Sequence, residues 1–351
     1  MAMTPRGRTF AVATTFVVVA AVVVGVLVIG GRKGLGPLAQ GNPGDTNGHG
    51  GKDAPVVCPL TGSKPAAGQV PDRPALAVKV ENLPAARPQT GLSFADIIYE
   101  EPVEASITRF IVVYQCQDAS RIEPVRSARL TDPGILVQYG HPLFGYAGGV
   151  QSVIKKVASS GLVDVNYIKA ASAYHRDPAR PMPHNLYTST KELYAAGHVS
   201  AGAPSPVFTY SKQVPATAVT AHHAHIPFSP YSDVYWRWSA SRFEWLRSYG
   251  SVPATYSDGT QMGARNVVIQ VVKVVTTGIT DVNGVHSPEV ISIGSGVAYV
   301  LRNGKMIKGT WSRPSSSDVT RFVDAKGDVI PLVPGKTWVE LVPQAIHVTV
   351  G

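Results

Sequence analysis

Two arginines three residues apart are the strongest candidates for chemistry in this sequence. Arg126 and Arg129 flank Ser127 and Ala128 in a turn-rich run. A guanidinium binds phosphate or carboxylate through two parallel hydrogen bonds, and at this spacing both can reach one anion. The pair predicts an anion-binding site. The open alternative is that both arginines form internal salt bridges with nearby glutamates.

Arg109 extends this candidate site. It lies in an apolar run in which both alternating faces are hydrophobic, which is typical of a central strand covered on both sides. An unpaired guanidinium is costly in such a place, so we expect a carboxylate partner for it. The nearest acids in the sequence are Glu100, Glu101 and Glu104, and we assign Glu101 and Glu104 supporting roles.

His184 and Asn185 form the one polar pair between proline-rich turns that suits proton transfer. Histidine titrates near neutrality, so His184 is the candidate general acid or base and Asn185 its support. The alternative is a histidine that only holds its loop by hydrogen bonds. Ser127 is a candidate nucleophile if a base lies within hydrogen-bond reach.

Three histidines, His222, His223 and His225, resemble a metal cluster at first sight. On a strand, His223 and His225 would share a face and converge. However, no third acidic or cysteine ligand stands nearby at a familiar spacing. We therefore expect an exposed loop here, with no metal and no cofactor.

The elements that would position these residues are strands interleaved with helices in the first half of the chain. The expected strands are 75–80, 95–101 and 107–115. Asp132 and Pro133 predict a helix start, as N-cap and first helical residue. Further helices are expected around 150–157, from apolar spacing, and from Ser189, where Ser189 and Glu192 form a capping box.

The second half of the chain has a different residue pattern. Short β-rich runs, separated by turn signals, take over after Pro204. These runs are 267–275, 289–293, 297–301, 319–323, 338–342 and 346–350. We expect an α+β protein, with a mixed α/β domain at 58–204 and a mainly-β domain at 205–351.

The N-terminal segment predicts a membrane attachment. Residues 10–31 carry no charge, and this length suffices to cross a bilayer as one transmembrane helix. A cleaved signal peptide would have a shorter apolar region and a small-residue cleavage site. We expect an uncleaved single-pass anchor, with residues 1–9 in the cytoplasm, a flexible linker at 32–57, and the rest outside.

The two cysteines, Cys58 and Cys116, are consistent with that location. In an oxidising compartment, a single pair is most simply a disulfide, and the alternative is two separate buried thiols. Part of the formal net charge of +9 comes from basic residues that flank the apolar segment. The remaining basic excess is mild, which excludes a nucleic-acid footprint but favours anionic ligands.

Several segments together resemble the YerB-like family of bacterial lipoprotein-like proteins, which carry domain of unknown function 3048. The segments are Pro59–Gly62, Glu81-Asn82, Arg87–Gly91, Glu100–Glu104, Pro124–Arg129, Pro183–Tyr187, Asn266–Gln270, Gly294–Gly296, Gly309–Trp311 and Pro334–Trp338. The resemblance spans about residues 58 to 343. It implies an exported, membrane-attached protein in two parts and brings no established activity. Many relatives look anchored through an N-terminal cysteine, whereas this chain offers an apolar helix.

Two functions from different classes follow from these observations. The first is a non-catalytic envelope module that binds an anionic wall polymer, a lipid head group or a partner protein. The second is an envelope enzyme acting on a phosphate- or carboxylate-bearing glycan, in which Arg126 and Arg129 hold the anion and His184 moves a proton. We favour binding, because no pair of nucleophile and base is legible in the sequence.

Overall fold

Strands make up most of the regular structure. The computed structural model describes residues 56–200, 202–281 and 283–351. The strands are β1 (Leu76–Glu81), β2 (Ile97–Pro102), β3 (Thr108–Tyr114), β4 (Leu143–Gly145), β5 (Val163–Asp164), β6 (His175–Arg176), β7 (Leu186–Tyr187), β8 (Val219–Thr220), β9 (His223–Ser229), β10 (Ser232–Ser239), β11 (Glu244–Tyr249), β12 (Val252–Pro253), β13 (Gly263–Ala264), β14 (Asn266–Thr280), β15 (His286–Ile291), β16 (Gly294–Arg302), β17 (Lys305–Arg313), β18 (Arg321–Asp324), β19 (Thr337–Pro343) and β20 (Thr349–Val350).

Helices occur only in the first half of the described residues. The α-helices are α1 (Thr131–Leu136), α2 (Gln151–Ala158) and α3 (Thr190–Gly197). Short 3-10 helices cover Pro84–Ala86, Leu92–Phe94, Glu104–Ser106, Val137–Tyr139 and Ala171–Ala173. The fold is therefore mixed, mostly strands with few helices, as an α+β class requires.

One large sheet runs through both halves of the chain. Its order is β18-β17-β16-β14-β19-β2-β3-β1-β4-β5, with β15 and β8 attached to it. Strand β19 pairs in parallel with β14 on one side and with β2 on the other. A second sheet has the order β12-β11-β10-β9-β20, with β13 attached to β11. Both halves thus contribute strands to one sheet, and the domain boundary at 204 stays a prediction.

The two faces of the large sheet are covered differently. Alternation in β3 sends Phe110 and Val112 to one face, where α3 and the second sheet supply Leu193 and Trp236. The opposite face carries Ile111 and is covered by apolar residues of α1 and α2. The strand is buried along its whole length, so the prediction of a central, covered strand is confirmed.

Several local predictions agree with the structure, and two do not. The capping box is present, since the Ser189 side chain accepts from the Glu192 backbone N–H. Helix α1 begins at Thr131, so Asp132 lies inside the first turn and is not the N-cap. The segment from His223 is strand β9 and not a loop.

The N-terminal predictions fall outside the described residues. The head at 1–9, the transmembrane helix at 10–31 and nearly all of the linker at 32–57 belong to this part of the chain. Across residues 56–351, as far as the structure describes them, no helix has the length and apolar character needed to cross a membrane.

Candidate functional site

A row of charged side chains crosses the large sheet at one end of β1, β3 and β2. Arg109 pairs in register with Glu81 on one neighbouring strand and with Glu101 on the other. Residues opposite each other in adjacent strands project to the same face. The row therefore lies on the face that α1 and α2 cover.

The three predicted arginines converge beside this row. Arg109, Arg126 and Arg129 line one pocket of about 440 Å³, together with Glu104 and Ser127. We call it the arginine pocket. Other lining residues are Gly149, Val150, Val153, Asp281, Asn283 and Ser287.

Backbone hydrogen bonds hold the segment that carries two of these arginines. The N–H of Arg126 donates to the carbonyl of Lys79 at 2.9 Å, and the N–H of Ala128 donates to Gly148 at 2.9 Å. The segment is thus fixed between β1 and the loop that leads into α2. Because Val150 is the N-cap of α2, the partial positive charge of that helix end lies at the pocket wall.

Arg129 is neutralised by Glu104. Its Nε and Nη2 lie 2.7 and 2.6 Å from Oε2 of Glu104, and the hydroxyl of Ser287 donates to Oε1. Burial acts to raise the pKa of Glu104, but the Arg129 guanidinium and the hydrogen bond from Ser287 together lower it overall. Arg129 therefore forms an internal salt bridge, which was the alternative to anion binding in the sequence analysis.

Arg126 shares its carboxylate with His184. Its Nε lies 3.1 Å from Oε1 of Glu81, in a geometry that makes an ion pair without a hydrogen bond. The other oxygen of Glu81 lies 2.8 Å from Nδ1 of His184. His184 does not line the arginine pocket and reaches Arg126 only through Glu81. The Arg126 side chain is 24% exposed, so it stays accessible to a ligand.

Arg109 lacks the carboxylate partner that we expected. It is 5% exposed, its Nη1 donates to the carbonyl of Ser127 at 3.0 Å, and its Nε is buried without a partner. Among the described residues, no acid lies within 4.0 Å of its guanidinium nitrogens. Burial, together with the positive charges of Arg129 and Arg126, lowers the pKa of Arg109 to about 9, although Glu104 and Glu81 act to raise it. Arg109 therefore carries a positive charge that the protein does not fully compensate.

The remaining predicted residues have structural partners elsewhere. Glu101 binds Lys79, and the Oδ1 of Asn185 accepts from Nη1 of Arg176 at 2.8 Å. Neither lines the arginine pocket. Ser127 does line it, and the carbonyl of Ser127 accepts hydrogen bonds from the guanidiniums of Arg109 and Arg129.

A buried lysine beside the pocket was missed by the sequence analysis. Lys79 is fully buried, and its Nζ contacts Glu101 and lies 2.7 Å from Oδ1 of Asp132. Burial raises the pKa of Glu101; Lys79 opposes that shift, and Asp132 adds to it. The available signal was a lysine in the otherwise apolar run of β1, where an unpaired ammonium would be costly.

A second buried ion cluster lies on the opposite face of the large sheet. Arg247 is fully buried; its Nη1 lies 2.7 Å from Oε1 of Glu340, and its Nη2 contacts Glu100. The indole of Trp236 also donates to Glu340, at 2.8 Å. This cluster joins the second sheet to strands of both halves of the chain. Its guanidinium is paired with carboxylates, unlike that of Arg109, although Nε of Arg247 and Oε2 of Glu340 are buried without a hydrogen-bond partner.

The cysteine and histidine predictions have separate outcomes. Cys58 and Cys116 form a disulfide with a Cα–Cα distance of 5.9 Å, which confirms the predicted pair. Nε2 of His225 lies 2.6 Å from Oδ1 of Asp233. In the described part of the chain, no group of three potential ligands is placed to hold a metal ion.

Comparison with known proteins gives consistent matches along the chain. Residues 60–203 match the N-terminal domain, and residues 224–339 the C-terminal domain, of "Protein of unknown function (DUF3048)". The chain is 29% identical over 302 residues to "Putative lipoprotein YerB" of Bacillus subtilis (strain 168), covering 82% of this chain and 86% of that protein.

A solved structure agrees with the sequence matches. The crystal structure of the YerB protein from Bacillus subtilis superposes with a TM-score of 0.71 at 26% identity, covering 84% of this chain and 99% of that one. Both domains of one family occur here in order, and the fold is shared with a member of known structure. The chain therefore belongs to the DUF3048 family, the YerB-like proteins.

Proposed function

We propose that this protein is a binding module of the cell envelope whose arginine pocket takes the anionic group of a ligand. The observation that carries the proposal is Arg109, which is buried, lines the pocket and has no carboxylate partner among the described residues. Charges buried without compensation are costly and are kept mainly for function. An anion in the pocket supplies the missing negative charge and accepts the free N–H groups.

The neighbouring arginines support a ligand with a negative charge. Glu104 already balances Arg129, and Glu81 divides its carboxylate between Arg126 and His184. The end of α2 at Val150 adds further positive potential. A pocket volume of about 440 Å³ is in the range of ligand sites, so the ligand is larger than the anionic group alone.

Binding is favoured over catalysis by the placement of the candidate catalytic groups. Ser127 lies in the pocket, but within the described residues no histidine lines it with Ser127. His184 is directed at Glu81 through Nδ1. A serine nucleophile needs a base within hydrogen-bond reach, and this arrangement does not provide one.

The location outside the cytoplasm and at the membrane belongs to the same proposal. It is supported by the uncharged segment 10–31, by the disulfide, and by the relative named as a lipoprotein. We propose a single-pass anchor for this chain. In fractionated cells the full chain should sediment with membranes, and protease added outside intact spheroplasts should digest it. Recovery of intact chain from the soluble cytosol would contradict this location.

Calorimetric titration of the full chain, in nonionic detergent, with methyl phosphate tests the binding proposal. Arg126→Ala should weaken binding at least tenfold, since charge-assisted hydrogen bonds contribute about 1.5–3 kcal/mol. Arg321→Ala removes an exposed arginine on β18, outside the pocket lining, and serves as the charge-matched control. Its affinity should stay within about twofold of wild type. Equal affinity in wild type and Arg126→Ala would overturn the proposal.

A further inference from the structure

A second pocket adjoins the arginine pocket and has a different character. Its volume is about 390 Å³, and most of its lining is apolar, with Val103, Phe228, Val285 and Ile346 coming from distant parts of the chain. The polar residues of its lining are Glu104, Ser106, Thr108, Thr276 and His286. Glu104 lines both pockets. We call the second one the apolar pocket.

The shared wall is built from two segments. At the start of β15, successive side chains alternate between the two spaces, so that Ser287 lines the arginine pocket while His286 and Pro288 line the apolar pocket. The second segment is the turn between β2 and β3, which is closed by the N–H of Val103 donating to the carbonyl of Ile107 at 2.8 Å.

That turn holds two successive non-glycine residues in the left-handed region. Ala105 has a φ of 58° and Ser106 a φ of 57°, and both line the apolar pocket. Such conformations cost free energy and persist where the surrounding structure fixes them, commonly at binding sites. Here Glu104 fixes the turn, because its two oxygens are held by Arg129 and Ser287.

We propose that the ligand is an alkyl phosphate: its phosphate occupies the arginine pocket and its hydrocarbon part the apolar pocket. This inference rests on the proposed function and adds the class of ligand. A tetrahedral phosphate presents oxygens in several directions, which suits three guanidiniums from two segments of the chain better than a planar carboxylate does. The adjoining apolar walls select for carbon attached to that phosphate.

Titration of the full chain with methyl, ethyl, propyl and butyl phosphate tests the inference. These short homologues share one anionic group and differ only in methylene count. Each buried methylene is worth about 0.8 kcal/mol, so affinity should rise about fourfold per carbon. Arg126→Ala should weaken every homologue by the same factor and leave this increment unchanged. Phe228→Ala should reduce the increment to less than twofold and leave methyl phosphate binding unchanged.

The outcomes separate the two proposals. Methyl phosphate binding with no increment along the series would overturn the alkyl phosphate and leave the anion site standing. No binding of methyl phosphate would overturn the proposed function itself. If Phe228→Ala does not fold, Val285→Ser replaces it, because Val285 is 38% exposed and its loss leaves the core intact. An increment that survives unchanged in the folded variant would overturn this placement of the hydrocarbon.

Discussion

Glu81 lies directly opposite Arg109 in the sheet, yet its carboxylate pairs with Arg126 and His184. Adjacent strands would ordinarily let such a cross-strand pair form an ion pair. Here the carboxylate of Glu81 points toward Arg126 and His184, and the guanidinium of Arg109 lines the pocket without an acidic partner. This choice of partner accounts for both the buried free guanidinium and the position of His184 outside the pocket.

Glu81→Gln should strengthen anion binding. The substitution removes a negative charge that competes with the ligand for Arg126 and faces Arg109. We expect methyl phosphate affinity to rise about three- to tenfold, which corresponds to roughly 1 kcal/mol of relieved competition. Glu244→Gln, which loses a pair with Arg242 on the second sheet, is the matched control and should leave the affinity unchanged. An unchanged or weaker affinity in Glu81→Gln would contradict this account of the pocket.

Lys79→Met should destabilise the fold in a pH-dependent way. The variant leaves Glu101 and Asp132 as two buried carboxylates with no cation between them. We expect the free energy of unfolding in urea at pH 7.5 to fall by about 3–5 kcal/mol.

The deficit of Lys79→Met should shrink toward pH 5. Lys79 opposes the rise that burial and Asp132 cause in the pKa of Glu101, so without Lys79 this pKa is higher still. As the pH falls, the folded variant therefore takes up a proton earlier than folded wild type does and regains stability. Lys155→Met, an exposed change on α2, should alter the unfolding free energy by less than about 0.5 kcal/mol. A deficit that is equal at both pH values would argue against buried carboxylates as its cause.

The buried carboxylate of Asp96 should give a second pH effect on stability. Its Oδ2 accepts the backbone N–H groups of Gln115 and Cys116 at 2.6 and 3.1 Å, and burial raises its pKa to about 6 in spite of these bonds. The ordinary value is near 4, so between about pH 4 and 6 the folded state binds more protons than the unfolded state. This group's contribution to stability is therefore lost as the pH rises through that window.

Asp96→Asn removes this titration. The unfolding free energy of wild type relative to Asp96→Asn should fall by about 3 kcal/mol from pH 4 to pH 7, at 1.36 kcal/mol per pKa unit. Thermal or urea denaturation across this range measures the difference. The exposed change Asp72→Asn should leave the pH profile of wild type unchanged. A wild-type curve parallel to that of Asp96→Asn would show that Asp96 does not titrate in this window.

Local patterns in the sequence predicted much of the fold. Strand β3 and the apolar face of α2 follow from residue spacing, and the start of α3 follows from the pair Ser189 and Glu192. Strand β9 was missed although its histidines alternate with the buried Ala224 and Ile226, because a proline within the run, Pro227, argues against a regular strand. Parallel pairing of β19 with β2 joins residues far apart in sequence and had no local signal.

The types of residue in the candidate site could be predicted from the sequence, but the ion-pair and hydrogen-bond partners of these residues could not. Arginines near one another in sequence and on a neighbouring strand do converge, as the sequence analysis expected for Arg126, Arg129 and Arg109. His184 and Glu101 do not line this pocket. Their partners, Glu81 and Lys79, are chosen by strand register and by side-chain direction across the sheet, which depend on tertiary structure.

Arg109→Met tests whether the free guanidinium is kept for a ligand or for the fold. Methionine fits the apolar surroundings and removes the uncompensated charge, so without anion the variant should be at least as stable as wild type. Arg247→Met is the contrasting control. It breaks two buried ion pairs and should lower the unfolding free energy by about 3–5 kcal/mol.

The most direct test is the unfolding free energy of wild type and Arg109→Met, measured in the full chain with and without methyl phosphate. At about one hundred times the dissociation constant, a ligand of the folded state adds about 2.7 kcal/mol. Wild type should gain this amount and Arg109→Met little, so the order of stability should reverse when the anion is added. The account is contradicted if Arg109→Met is the less stable protein without anion and gains as much as wild type with it.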